Sequence, residues 1–286
     1  MQAIAAVVKV VAPVSVALIM FAQGLSISPR LVGAYFRERL GLMLRSLLAA
    51  LVLVPIAALA LILILKPAPA VGIGLAILVA CPAAPLMLSA APQKGGASAP
   101  FMASLHLSLA ALAFVTVPAI LSSLSVPLSF HADVDLGVMA GILAKTILVP
   151  VLSGLLVRSF FQETADRIGP VLGRVGSIGL LVVVAFALVA FHRALLNMDP
   201  WSYLVITAVS ATALAIGHLL GPFNPQEKTA LAVECAVRHP MLAITIGAMN
   251  FTPEKTLPVL VPCVITFIAV AMLYMSWRGM GESAVA

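Results

Sequence analysis

From Leu47 to Leu65 the chain runs through nineteen residues without one polar side chain. About 20 apolar residues is the length an α-helix needs to cross the hydrocarbon core of a bilayer. A barrel strand would alternate apolar and polar positions over about ten residues. This run does not alternate, so it reads as a spanning helix. The same ruler gives nine candidates in all, over 8–27, 42–65, 70–91, 99–124, 136–157, 174–192, 201–220, 229–249 and 257–277. The expected fold class is an all-α polytopic membrane protein of about nine transmembrane helices, forming a single transmembrane domain over 1–286.

Composition closes the alternatives. Hydrophobic residues make up 63% of the chain and charged residues only 9%, against roughly 25% charged in a soluble domain. A water-soluble fold cannot cover itself with so few polar groups. A soluble enzyme, a nucleic-acid-binding protein and a disordered segment are therefore excluded, and the lipid bilayer is the expected partner. The net charge of +6 is a topological signal, because cytoplasmic loops of membrane proteins are enriched in Lys and Arg. Arg30, Arg37, Arg39, Arg45, Lys94, Arg158, Arg167, Arg174, Lys228 and Arg278 fall on one side; Lys9, Lys66, Arg193 and Lys255 fall on the other. This asymmetry predicts a multi-pass protein of the inner (plasma) membrane, N-terminus outside and C-terminus in the cytoplasm. No cleavage pattern follows the first apolar stretch, which is expected to be retained as a span. Between spans, Ser159 to Gly173 mixes Gln162, Glu163, Asp166 and Arg167 with Phe160, Phe161, Ile168, Val171 and Leu172. It reads as a short amphipathic helix lying in the inner interface. Cys81, Cys235 and Cys263 all sit in apolar stretches, odd in number and far apart, so no disulfide framework is implied.

Two spans are interrupted. The third contains Cys81-Pro82-Ala83-Ala84-Pro85, and the eighth contains Glu234, Arg238, His239 and Pro240 in an apolar run. Proline removes a backbone donor and clashes with the preceding turn. Broken helices inside a membrane are tolerated only where the freed backbone is buried in protein or lines a cavity. A pair of them in separate parts of a chain points to a transporter binding site, because half-helix ends present N–H groups to anions and carbonyls to cations. Proline kinks without further purpose are also common in membrane helices.

Glu234 is the only acid inside an expected span. A charge at the bilayer centre costs about 2.5 kcal/mol or more. Arg238 follows four positions later, on the same face of a continuous helix, so the two are expected to pair. That pair reads either as a structural tie between helices or as a substrate or ion site. His106 in the fourth span and Lys145 in the fifth are the other intramembrane ionisable groups, each open to a structural role: a hydrogen bond to a carbonyl for His106, snorkelling for Lys145. No GxSxG, HExxH or phosphate-binding loop occurs, so neither an enzyme nor a nucleotide-driven pump is expected.

Ala230-Leu-Ala-Val-Glu234-Cys-Ala-Val-Arg238-His-Pro-Met-Leu242-Ala243 resembles the broken-helix motif of the bile acid:sodium symporter family. Cys81-Pro82-Ala83-Ala84 is similar to that family's Cys-Pro-Gly-Gly break. Met20-Phe21-Ala22-Gln23-Gly24-Leu25-Ser26-Ile27 is similar to its first-span stretch. The resemblance implies two inverted repeats, with a core domain in which the two broken helices cross. A panel domain would be made of the first, fifth and sixth spans. It further implies alternating-access transport of small organic anions, with Glu234, Arg238, His239 and His106 as substrate or ion-coupling residues. Cys81, Pro82, Cys235, Val237 and Pro240 would form the broken-helix backbone.

The departures from the family pattern concern sodium. The glutamate that touches sodium is kept as Glu234. The glutamine of that helix is Arg238, and the Ser-Asn pair after the first break falls at Met87 and Leu88. Two hydroxyl ligands fall near Met102 and His106, and the glutamine five residues before Pro55 is Ala50. A hard cation wants oxygen ligands. Glu234 would bind sodium only if that site is retained. The expectation is that Arg238 stands in a sodium position and neutralises Glu234, that no cofactor is needed, and that transport is proton-coupled or sodium-independent. Other readings are an ion-uncoupled facilitator or exporter of the same fold, a membrane receptor or scaffold that does not transport, and a metalloid exporter of the wider superfamily.

Overall fold

The computed structural model describes residues 2–26, 29–82, 84–130, 137–138, 141, 144–250 and 253–283, and the regular elements among them are all helical. They are α1 (Gln2–Ser26), α2 (Pro29–Glu38), α3 (Leu40–Leu65), α4 (Pro69–Ala80), α5 (Pro85–Gly95), α6 (Ala99–Ser125), α7 (Val149–Phe160), α8 (Gln162–Ala190), α9 (His192–Asn197), α10 (Pro200–Leu220), α11 (Pro225–Ala236), α12 (Pro240–Asn250) and α13 (Pro253–Ser283). Proline opens α4, α5, α10, α11, α12 and α13. At the first helical position its missing N–H is one that no helix satisfies, and its fixed φ suits the turn.

Among the described residues, six segments are long and apolar enough to cross a membrane: Leu40–Leu65, Ala99–Ser125, Gln162–Ala190, Pro200–Leu220, Pro225–Gly247 and Pro258–Gly279. The chain is a multi-pass membrane protein. Two shorter apolar helices, Val10–Ser26 and Pro69–Ala80, lie where the first and third spans are expected. The third falls short as a single helix because it is broken. Part of the fifth expected span, 136–157, lies outside the described residues. Its described part includes a π-turn at Ala144–Leu148 that continues as α7.

One expected element is corrected. Ser159 to Gly173 does not form a helix of its own. The chain leaves helical geometry at Phe161 (φ −134°, ψ 64°) and then runs as one helix from Gln162 to Ala190. The reason is a small-residue face. Cβ atoms at Gly169 and Gly173 would sit 3.5 Å from the side chain of Leu25 and 3.6 Å from that of Ala22; at Gly176 one would meet the Ser15 carbonyl at 2.8 Å. Glycines at this spacing let one face of the helix lie along α1, so Ala165 and Gly169 are buried while most of the segment stays exposed.

Helices α1, α7 and α8 pack on one another as a trio. Gly24 and Gly154 face each other so closely that a Cβ on either would come within 2.9 Å of the other's Cα. The remaining helices form a second group. In it α11 packs on α10, α5 and α6, while α13 packs on α4, α5, α10 and α12. Gly217 of α10 admits the backbone of α11: a Cβ there would lie 2.6 Å from the Cα of Ala232. That approach buries the first half of the second broken span. The two groups meet where α5 touches α1 and α8, and where α6 touches the π-turn before α7.

Candidate functional site

The first break follows from Pro82 and Pro85. Helix α4 ends at Ala80, Cys81 is extended (φ −99°, ψ 90°), and α5 restarts behind Ala84. The second follows from Pro240, whose ring disfavours helical geometry at the residue before it. Helix α11 ends at Ala236, and Val237 is extended (φ −93°, ψ 130°) before α12 begins at Pro240. The two breaks touch. The backbone N–H of His239 donates to the carbonyl of Cys81 at 2.9 Å. Nδ1 of His239 accepts from the backbone N–H of Leu242 at 3.2 Å, so the imidazole caps the first turn of α12. Cys81, Cys235 and Val237 are buried around this contact, and the Cys81 thiol donates to the Ile77 carbonyl at 3.1 Å.

The ionisable groups gather at the same place. Glu234, His239, Arg238 and His106 are 1%, 1%, 2% and 3% exposed, which removes all four from solvent. Oε1 of Glu234 lies 3.1 Å from Nδ1 of His106. The partner of the glutamate is therefore the histidine of α6. The expected Glu234–Arg238 pair is not among the ion pairs of the described residues. The i, i+4 spacing does not apply, because the helix stops at Ala236 and Arg238 lies in the extended break.

Arg238 turns instead to α3, where Nη1 and Nη2 donate to the Ala50 carbonyl at 3.2 and 3.3 Å. The local sequence explains why that carbonyl is available. Ala49–Leu53 is a π-turn, and the N–H of Val54 bonds back to Ala49. The next donor in that pattern would be residue 55, which is proline and has none. The Ala50 oxygen is thus left off the helical ladder, and a buried carbonyl needs a partner. Pro55 five residues after Ala50 is the sequence signal for this contact. Among the described residues, four atoms at the crossing have no hydrogen-bond partner: His106 Nε2, Glu234 Oε2, Arg238 Nε and His239 Nε2.

His106 also lines a cavity where the two helix groups meet, with Met20, Gln23, Leu88, Ala103, Leu107, Ile147 and Val151. The cavity measures about 10 Å³, room for about one water. Met87 and Met102 are buried, and their thioethers are soft, weak acceptors. Lys145 is exposed in its π-turn and does not join the site.

Sequence reasoning missed the anchor of the second broken span. Glu227, in the first turn of α11, is buried; it pairs with Arg39 and accepts from the Tyr35 hydroxyl at 3.2 Å. Arg278 of α13 donates to the Thr229 hydroxyl at 2.9 Å and to the Pro225 carbonyl at 3.0 Å. Glu227 falls just before the apolar run, so a hydropathy ruler assigns it to a loop.

The sequence profile described as the Sodium Bile acid symporter family matches residues 13–197. That stretch contains the first break and His106 and ends before α11. A comparison with curated proteins found no match.

Proposed function

The chain belongs to the sodium bile acid symporter family, and from that premise we propose that it is a secondary transporter of small organic anions whose coupling ion is a proton. The α1–α7–α8 trio is the panel and the remaining helices are the core; nine spans in inverted repeats complete the arrangement. The N-terminus lies outside and the C-terminus in the cytoplasm. The ends of the described helices support that orientation: Arg39, Lys228 and Arg278 gather about α11 at one end.

The observation that carries the coupling reading is the buried Glu234–His106 pair beside the breaks. A carboxylate and an imidazole in contact can take up and release a proton without a metal. The donor set around it argues against sodium. Arg238 brings a fixed positive charge to the break, and the residues corresponding to further ligands are Met87, Leu88 and Met102, none with a hard oxygen to offer. The same guanidinium and the N-terminus of α12 supply the attraction for an anionic substrate. The cavity lined by His106 and Gln23 is too small for an organic anion, so loading requires the two helix groups to separate, as alternating access does.

The test is uptake of radiolabelled organic anions, a bile acid first, by proteoliposomes holding the purified protein. Accumulation driven by a pH gradient and indifferent to a sodium gradient is expected, and Glu234→Gln should abolish the pH-driven component. Sodium-driven accumulation that ignores pH would overturn the coupling reading, and no flux with any anion would favour a receptor.

A further inference from the structure

At the end of α10, away from the crossing, lies an open cleft of about 430 Å³ lined by Arg39, Arg45, Leu219, Phe223, Asn224 and Lys228, among others. Its electrostatics are one-sided. Arg39 is shared with Glu227. Arg45 and Lys228 take part in none of the ion pairs among the described residues. Asn224 contributes no counter-charge, because its side chain caps α11 by accepting from the N–H groups of Gln226 and Glu227 at 2.9 and 3.2 Å. Three cations therefore line one space, and among the described residues the one carboxylate paired with any of them is Glu227.

The rim is as informative as the floor. Leu219 is 80% exposed and Phe223 fully exposed. On α3, Leu40, Leu44 and Leu48 recur at helical spacing, each about half exposed. They form an apolar strip that leads away from the cations along a spanning helix. A soluble phosphate or carboxylate would use the cations and leave this strip idle. A phospholipid uses both, with its phosphate on the guanidinium and ammonium groups and its acyl chain along the leucines.

We propose that this cleft binds the headgroup of an anionic phospholipid, with Arg45 and Lys228 on the phosphate and Leu219, Leu44 and Leu48 against the acyl chains. Basic recesses between spanning helices recognise such headgroups through these two chemistries together. The site fastens lipid to the first turn of α11, the half-helix that carries Glu234. It does not depend on which substrate or coupling ion the protein uses.

The test is native mass spectrometry of the full chain in detergent, titrated with phosphatidylglycerol and, separately, with phosphatidylcholine. The intact protein is expected to hold phosphatidylglycerol in preference. The double change Arg45→Gln with Lys228→Gln should weaken that binding about thirty-fold, the loss of two surface cations near a phosphate. The charge-retaining pair Arg45→Lys with Lys228→Arg should keep it. Leu44→Gln should weaken phosphatidylglycerol, and inorganic phosphate at millimolar concentration should not displace the lipid. Equal binding by the double glutamine variant overturns the proposal, as does equal affinity for phosphatidylcholine. Displacement by inorganic phosphate overturns it in favour of a soluble anion. All the altered side chains are exposed or half-buried, so an unchanged melting temperature is the accompanying control.

Discussion

Arg238 meets the Ala50 carbonyl across 188 positions of sequence, and a missing donor is the reason. Pro55 deprives the π-turn of the N–H that would have closed on that oxygen, and the guanidinium supplies it from the other broken span. A buried acceptor left without a partner costs about 1–3 kcal/mol. Arg238→Leu should therefore be less stable than Arg238→Gln by about that amount, because an amide retains a donor and leucine does not. Thermal unfolding in detergent measures the difference, and equal melting temperatures would remove the carbonyl contact from the explanation. A second residue acts at the start of α10. Asp199 accepts from the Ser202 N–H at 2.8 Å and from its hydroxyl at 2.6 Å, which caps α10. Its hydrogen bonds with Ser202 hold its carboxyl below the ordinary carboxylate value. A depressed carboxyl stabilises the fold above its unfolded pKa and loses that contribution as pH falls through the folded one. Asp199→Ala should lower the melting temperature at pH 7, and the difference should shrink below about pH 4, near the ordinary aspartate value.

Helix contacts in this protein are set by glycine where backbones must nearly touch. α1 and α7 cross at Gly24 and Gly154 with no room for a β-carbon on either. Larger residues in such a contact force backbone shifts that cost about 1–3 kcal/mol. Gly154→Val is expected to lower stability in detergent by at least that much, through separation of α1 from α7. A variant at Gly41, where a β-carbon would meet nothing within 4 Å, should melt like the parent. The same glycine logic explains why Gln162 to Gly173 is continuous with the rest of α8: Gly169 and Gly173 carry the small face on along α1. Hydropathy counts polar residues in that segment but does not see which side of the helix is flat enough to be covered.

At the scale of the whole molecule, the distribution of basic residues makes an orientation that labelling can check. Cys81, Cys235 and Cys263 are buried, so the native chain should resist a membrane-impermeant thiol reagent. Phe223→Cys should then react only in inside-out vesicles, and Leu196→Cys, 79% exposed in the parent, only from the outside of intact cells; the reverse pattern would invert the topology. The sequence by itself determined that the chain crosses a membrane many times, because apolar runs of this length have no other solvent. It also determined where two spans break, because proline acts on its own turn. It named the four ionisable residues buried at the crossing, because each stands out inside an apolar span, but not the buried Glu227 at the start of α11. Only the tertiary structure decided who pairs with whom. Glu234 was expected to meet Arg238 four positions on, but the break carries the arginine out of the helix. His106 of α6 and the Ala50 carbonyl of α3 take the two charges instead. Those partners lie far away in sequence and are chosen by which helices pack together, a property of side-chain shape and backbone approach that no local pattern records.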